Sequence, residues 1–325
     1  MTIRPIIAWH FRDGKRGHES QSQGLLQALG QLLPMKSFDI TLNITTDGVL
    51  RPFNALFWHS FRTKTLPRPD LLIGAGHKTH LPLLASARMR GGRAIVLMKP
   101  TLPIRWFDLC VIPAHDGVGP RGNVLTTRGV LNPIGQNPIA RNPDKRPDRG
   151  LFLIGGPSRH YGWDEDTLFE QIDTIVARTP GMTWIATTSR RTPESTARNL
   201  MGRNWENLRP ILGSDTPEGW LPEQLARART VWATEDSVSM IYEALTSGAS
   251  TRLLSVPRHA VSRLSLGVDG LVTDGLVTTF PAWHQQAVSQ SSRSESPGES
   301  GVYPGEFNEA ARCAQWIVDQ WFANP

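Results

Sequence analysis

Short apolar runs alternate with longer stretches of helical spacing along most of this chain. In the first half the strand-like runs fall at Pro5–Trp9, Ser37–Ile44, Asp70–Ile73, Ala94–Met98 and Leu109–Ile112, and the spacing predicts helices over Ser20–Leu33 and Leu81–Met89. A second series then begins. LFLIGG (151–156) reads as a buried strand ending in glycines, Asp164–Arg178 as a helix with an acidic first turn, and MTWIATT (182–188) as a strand. Pro193–Met201 is again helical, TVWAT (230–234) is a strand, Asp236–Ser247 is a helix closed by Gly248, and TRLLSVP (251–257) is the next strand. Glycine is expected just past a helix end because it tolerates the left-handed backbone that terminates one. Strands alternating with amphipathic helices predict parallel sheets wrapped by helices, an α/β fold.

Between the two series, NPIARNPDKRPDR (137–149) concentrates Pro, Asn and charge with little apolar content. It reads as a linker, so the expected division is 1–136, a linker at 137–150, and 151–305. Glu306–Phe322 restores helical periodicity through Phe307, Ala310, Ala314 and Ile317, giving a closing helix over 306–325. SQSSRSESPGESG (289–301) is poor in apolar residues and is expected to be mobile. Two α/β units joined by a linker leave a cleft between them. Ligands of open sheets sit at the carboxyl ends of the strands.

The 325 residues exceed one comfortable core, which agrees with two domains. A net charge of +6 favours anionic partners: phosphorylated ligands, an anionic membrane surface or nucleic acid. No nucleic-acid recognition motif is present, so nucleic acid is not an expected partner. No apolar run approaches the roughly 18 residues of a membrane span, and MTIRPIIAWHF lacks the apolar length and cleavage site of a signal peptide. Cys110 and Cys313 form neither a disulfide framework nor a zinc spacing. The expected setting is the cytoplasm, with attachment to the inner membrane face as an option, and no metal is expected.

Candidate chemistry sits in the turns that follow strands. LLIGAGHKTH places Thr79 where a dinucleotide fingerprint needs its third glycine, and no lysine follows a glycine at Walker spacing. IGGPSRHYGWDED (154–166) is more informative: Gly155 and Gly156 would let backbone approach an anion, with Ser158 and Arg159 adding a hydroxyl and a cation. A plain turn is the alternative. In WATEDSVSMIYEALTSG (232–248), Asp236 or Ser237 can cap the helix, and Ser239, Met240 and Glu243 share one face. A phosphate at the amide end and a ribose on Glu243 would fit that face, whereas the bland reading is a solvated glutamate and capping serines. TTSRRTP (187–193) offers Ser189, Arg190 and Arg191 to a diphosphate, or simply surface arginines.

RDGKRGHESQSQG (12–24) follows the first strand. Gly14 and Gly17 allow a tight turn, Lys15 and Arg16 bring positive charge, Ser20–Ser22 open the next helix, and Lys15, Gly17 and Gln21 are candidate contacts in the loop. Asp13 or His18 could serve as a general base there; a solvated loop is the alternative. His115 and Asp116, just past a strand end, could move protons or merely stabilise a turn. Residues 51–69 interleave Phe53, Phe57, Trp58 and Phe61 with Arg51, Arg62 and Lys64, which suits either a core or a membrane interface.

DGKRGHESQSQGLLQALG, FDLCVIPAHD with GNVLTTRGVLNPI, LIGGPSRHYGW, TTSRRTP and DSVSMIYEAL with SG, in this order, resemble the family named after the plant "elongated mitochondria" fission protein. Many of its bacterial members are described as glycosyltransferases. The resemblance implies a GT-B-like fold of two Rossmann-like domains facing a central cleft, with the C-terminal helix crossing back to the first. The glycine turn and the DSVSM helix also look like the donor site of MurG-type enzymes. On that likeness Glu243 holds the ribose of a uridine sugar nucleotide, and Ser158, Ser237 and Ser239 face phosphate. The implied activity is metal-independent transfer from a UDP-sugar, without further cofactor, to a lipid-linked or envelope acceptor. The rival expectation is a non-catalytic adaptor at a membrane.

Overall fold

The computed structural model describes residues 4–42, 65–119, 121–136, 145–290 and 307–322. Two compact units account for the chain: 1–136 with 308–325, and 137–307.

The first unit runs β1 (Ile6–Arg12), α1 (Arg16–Leu32), β2 (Met35–Thr41), β3 (Leu71–Ala75), α2 (His77–Arg90), β4 (Arg93–Leu97), β5 (Leu109–Pro113) and β6 (Val124–Thr127). Its sheet is six-stranded in the order β2-β1-β3-β4-β5-β6, and every pairing is parallel. Parallel strands covered on both faces need apolar residues at consecutive positions, and LLIGA of β3 is buried throughout. One face, with Leu71, Ile73, Ile95 and Val111, packs on Leu25 and Leu29 of α1. The other, with Trp9, Leu72, Val96 and Ile112, packs on Leu83 of α2.

The second unit runs β7 (Arg146–Ile154), α3 (Glu165–Arg178), β8 (Thr183–Thr188), α4 (Glu194–Gly202), β9 (Leu208–Ile211), α5 (Trp220–Arg227), β10 (Ala228–Thr234), α6 (Val238–Thr246), β11 (Ser250–Leu254), α7 (Arg263–Thr273), β12 (Thr278–Thr279) and α8 (Phe280–Gln290). Its strand order is β12-β11-β10-β7-β8-β9, again parallel throughout. That is the doubly wound Rossmann order, in which the chain reverses direction across the sheet between β7 and β10. In the first unit the reversal lies between β1 and β3.

The last helix, α9 (Glu309–Trp321), belongs to the first unit. Ala310, Cys313, Ala314 and Ile317 join the core that holds Leu25 and Leu29, so the C-terminal helix does cross back. Truncating Ile317 to Ala would cost about 2–5 kcal/mol.

Sequence boundaries move at the linker and at α1. The linker expected to reach residue 150 ends sooner, because β7 starts at Arg146 and Arg149–Ile154 pair with Thr183–Thr188. Backbone pairing needs no apolar side chain, and Gly150 is where the Trp184 ring lies against the strand. Helix α1 starts at Arg16, not Ser20, so Gly17 and Gln21 are helical and the Gln21 amide donates to Gly17 O. Only Gly14, at φ 80°, makes the turn. Strands β6, β9 and β12 and helices α5, α7 and α8 add to the series read from periodicity. Residues 43–64 lie outside the described residues, and with them the end of the Ser37–Ile44 run and most of the 51–69 aromatic segment; so do 137–144 of the linker and 291–301 of the polar stretch.

Candidate nucleotide site and its counterpart in the first unit

At the reversal point of the second sheet the strand ends β7 and β10 stand side by side. Gly155 N–H donates to Thr234 Oγ1 at 2.8 Å, and Gly156 N–H donates to Asp236 Oδ2 at 3.1 Å. Both glycine amides are therefore engaged internally. Glycine is needed at both positions: a Cβ on Gly155 would strike the Asp236 carboxylate, and one on Gly156 the Arg191 backbone. Arg191 is likewise an internal strut. Its guanidinium donates to Asp236 Oδ2 and to Gly156 O, each at 2.6 Å. Ser189 closes its own turn, accepting from the Arg191 amide, while Thr192 Oγ1 donates to Ile154 O at 3.0 Å. Arg190 is exposed and unpaired among the described residues.

Ser158 Oγ accepts from the amides of His160 and Tyr161, both at 3.2 Å, and Arg159 donates to His160 Nε2 at 2.8 Å. Ser158 and Arg159 thus shape the surface of the turn. Behind it lies a charge cluster that composition did not reveal: Arg258 donates to Glu235 Oε2 at 2.9 Å and to Asp269 at 2.7 Å. Burial pushes the Glu235 carboxyl up, against the pull of Arg258.

Helix α6 starts at Val238, as a cap at Ser237 predicts and one residue later than a cap at Asp236 would place it. Ser237 is the N-cap residue but its side chain caps nothing, and Asp236 is turned back onto Gly156 and Arg191. The first bond of the helix itself runs from Ile241 N–H to Ser237 O at 3.1 Å. The amides of Val238, Ser239 and Met240 precede it, at the positive end of the helix dipole. Ser239 is exposed and Met240 and Glu243 are half-buried on the same side. The Glu243 carboxyl retains some accessible surface, yet the protein around it desolvates it enough to push its pKa up to about 7. No described residue hydrogen-bonds it.

The first unit's reversal point is built differently. Asp13 follows β1 and is fully buried; its Oδ2 lies 2.8 Å from His18 Nδ1, in the first turn of α1. Since a carboxylate only accepts, Nδ1 is the donor in this bond, and in the neutral ring Nε2 is the nitrogen that can accept. Asp13 Oδ1 accepts from the Lys15 amide at 3.1 Å. Gly76, at φ 84°, presses against this pair, and a Cβ there would hit the His18 ring. Around it Arg12 donates to Glu19 at 2.6 Å and to Asp39 at 2.9 Å. His10 bridges Asp39 at 2.9 Å and Ser22 at 2.7 Å, and burial lowers its pKa despite Asp39. His115 and Asp116 lie apart from this group in a short turn after β5, where Asp116 accepts from the Lys99 amide at 3.4 Å. Sequence reasoning missed Gly76 and Thr79, whose amide and hydroxyl both donate to Gly76 O. The Gly74-x-Gly76 spacing after a strand was the available signal.

Among the described residues no group of three His, Cys, Asp or Glu has metal-binding geometry, and no helix is long and apolar enough to cross a membrane. Over nearly its whole length the chain is similar to nucleotide-sugar proteins of known structure. A proposed UDP-N-acetylglucosamine 2-epimerase from Listeria monocytogenes aligns at TM-score 0.65 and 13% identity, over 98% of this chain and 97% of that one. A UDP-GlcNAc 2-epimerase from Neisseria meningitidis, solved with UDP-GlcNAc bound, aligns at TM-score 0.55 and 12% identity over 99% and 100%. MurG of Acinetobacter baumannii aligns at TM-score 0.50 and 14% identity over 97% and 99%. These likenesses establish the GT-B fold, two Rossmann-like units of the kind found in glycosyltransferases. Residues 16–321 match the family described as "Mitochondrial fission ELM1", and the chain belongs to that family.

Proposed function

We propose that this protein is a metal-independent glycosyltransferase that takes a nucleotide-diphosphate sugar, UDP-linked, and delivers the sugar to a lipid-linked or envelope acceptor. The observation that carries the reading is the start of α6: uncapped first-turn amides with an unpartnered glutamate, Glu243, one turn further along. Amides at a helix N-terminus favour a diphosphate, and a carboxylate accepts both hydroxyls of a ribose. The bound UDP-GlcNAc of the Neisseria neighbour supports the choice of ligand class.

In this mechanism the second unit holds the donor. Charge that develops on the leaving diphosphate is met by the amides of Val238–Met240, with Arg190 and Arg159 as the cations not tied to a carboxylate. Arg191 and Asp236 hold the Gly155–Gly156 turn in place instead of touching phosphate. The first unit supplies the base: His18 Nε2 takes the proton of the acceptor hydroxyl, while Asp13 fixes the tautomer and stabilises the imidazolium that results.

The test is calorimetric titration with uridine, guanosine, cytidine and thymidine diphosphates, followed by sugar-release assays with the matching nucleotide sugars. Uridine binding and His18-dependent turnover are expected. Binding of none of the four would sink the assignment. A second reading, an adaptor that binds a nucleotide sugar without transferring it, draws on the engagement of both glycine amides and Arg191, which thins the phosphate cradle. Tight uridine binding with no turnover, unaltered in His18→Gln, would favour it.

A further inference from the structure

At the amino-terminal end of the second sheet, away from the strand ends that carry Gly155 and Thr234, there is a groove of about 370 Å³. Along β8 the separation between Thr183 and Thr188 alone is roughly 17 Å at about 3.3 Å per residue. The short helix α5 covers only part of this sheet face. Trp220, Gln224 and Arg227 of α5 line one side of the groove, four and three residues apart and so on one helix face. Ile185 and Ile211 line the floor, and Arg149 and Arg209 stand on the sheet side.

Three guanidiniums therefore border one half-apolar groove, and no aspartate or glutamate is among its lining residues. Arg209 and Arg227 are exposed and Arg149 is half-buried. None of the three has a hydrogen bond or ion pair to a described residue, whereas Arg12, Arg191, Arg258 and Arg312 all meet carboxylates. Clustered unpaired cations repel one another, and an anion relieves that repulsion. Because guanidinium forks match phosphate oxygens, the missing anion is best a phosphate. The apolar floor and the half-buried Trp220 ring add a requirement that a free phosphate or a nucleic acid backbone does not meet: the anion must carry an apolar chain. Tryptophan beside cations is the composition of a membrane interface.

We propose that this groove docks an anionic phospholipid, with the phosphate among Arg149, Arg209 and Arg227 and the first methylenes on Ile185, Ile211 and Trp220. It is a site separate from the nucleotide site and does not depend on the sugar-transfer reading. It would hold the second unit against an anionic bilayer.

Sedimentation of the full-length protein with phosphatidylcholine vesicles, with and without phosphatidylglycerol, tests this. The wild type is expected to bind only the vesicles containing phosphatidylglycerol, and Arg209→Glu with Arg227→Glu to weaken partitioning by at least about tenfold, with uridine diphosphate binding unchanged. Because a double charge reversal can disturb folding, a second measurement uses brominated phosphatidylglycerol vesicles. There the wild type should lose more tryptophan fluorescence than Trp220→Phe does. Partitioning that survives the double reversal, equal binding to pure phosphatidylcholine, or identical quenching of Trp220→Phe would overturn the proposal. So would displacement by inorganic phosphate or by single-stranded RNA as effective as that by short-chain phosphatidylglycerol, since either would make this a site for a soluble anion.

Discussion

The two reversal points share a topology and differ in what they leave unsatisfied. In the first unit the buried carboxylate and its neighbours are partnered, Asp13 with His18, Arg12 with Glu19 and Asp39, His10 with Asp39 and Ser22, while Lys15 and Arg16 stand exposed beside them. Within that network one imidazole nitrogen remains open. In the second unit the strand ends are equally well tied by Thr234, Asp236 and Arg191. But the helix that follows, uncapped by a side chain as α1 is, also carries Glu243, whose carboxyl has no partner among the described residues. A buried network that leaves a basic nitrogen open is suited to moving a proton. A site that keeps several donors and one carboxylate in reserve is suited to holding a ligand.

Substitutions can break that division. The largest expected effect is from Gly156→Ala, whose Cβ would collide with the Arg191 backbone. Uridine binding should fall below detection, with a lowered melting temperature, since forced overpacking costs about 1–3 kcal/mol. Gly76→Ala is the matching change in the first unit, adding a strained φ of 84° to a collision with His18. Transfer should be lost while calorimetric nucleotide affinity survives; joint loss of both would show that the units do not divide the work. Next, His18→Gln should lower turnover by about 10²–10⁴-fold, the usual worth of a general base, at unchanged nucleotide affinity.

A smaller effect concerns stability. The Glu243 carboxyl is raised from 4.5 to about 7 by burial. The fold therefore favours the protonated form: stability is greatest below pH 4.5 and declines as pH rises towards 7. A rise of that size corresponds to on the order of 3 kcal/mol. Glu243→Gln should accordingly raise the melting temperature at pH 8 and leave it nearly unchanged at pH 4, as differential scanning calorimetry would record. Ribose hydroxyls donate to the ionised form, so nucleotide binding near pH 6.5 should release protons. Titrations in buffers of different ionisation enthalpy would measure that release.

The α/β alternation was legible because buried parallel strands such as LLIGA and LFLI are apolar at every position. Less legible was anything set by backbone pairing alone: the Arg146–Gly150 half of β7 carries charges yet lies in the middle of a sheet. The start of α1 was hidden for a similar reason, since Lys15 and Arg16 are poor company for a helix N-terminus. Motif reading located the turns but not the bonds that tie them together. Nothing in TTSRRTP tells that Arg191 bonds Asp236, 45 residues on. His18 was visible as chemistry, but its pairing with Asp13 under the Gly76 turn required the fold.

Calorimetric titration of uridine diphosphate into the wild type and Glu243→Ala tests the central claim most directly. The account expects measurable binding to the wild type and at least about a tenfold loss in the variant, the worth of hydrogen bonds to a charged group. Equal affinity for both proteins would contradict it.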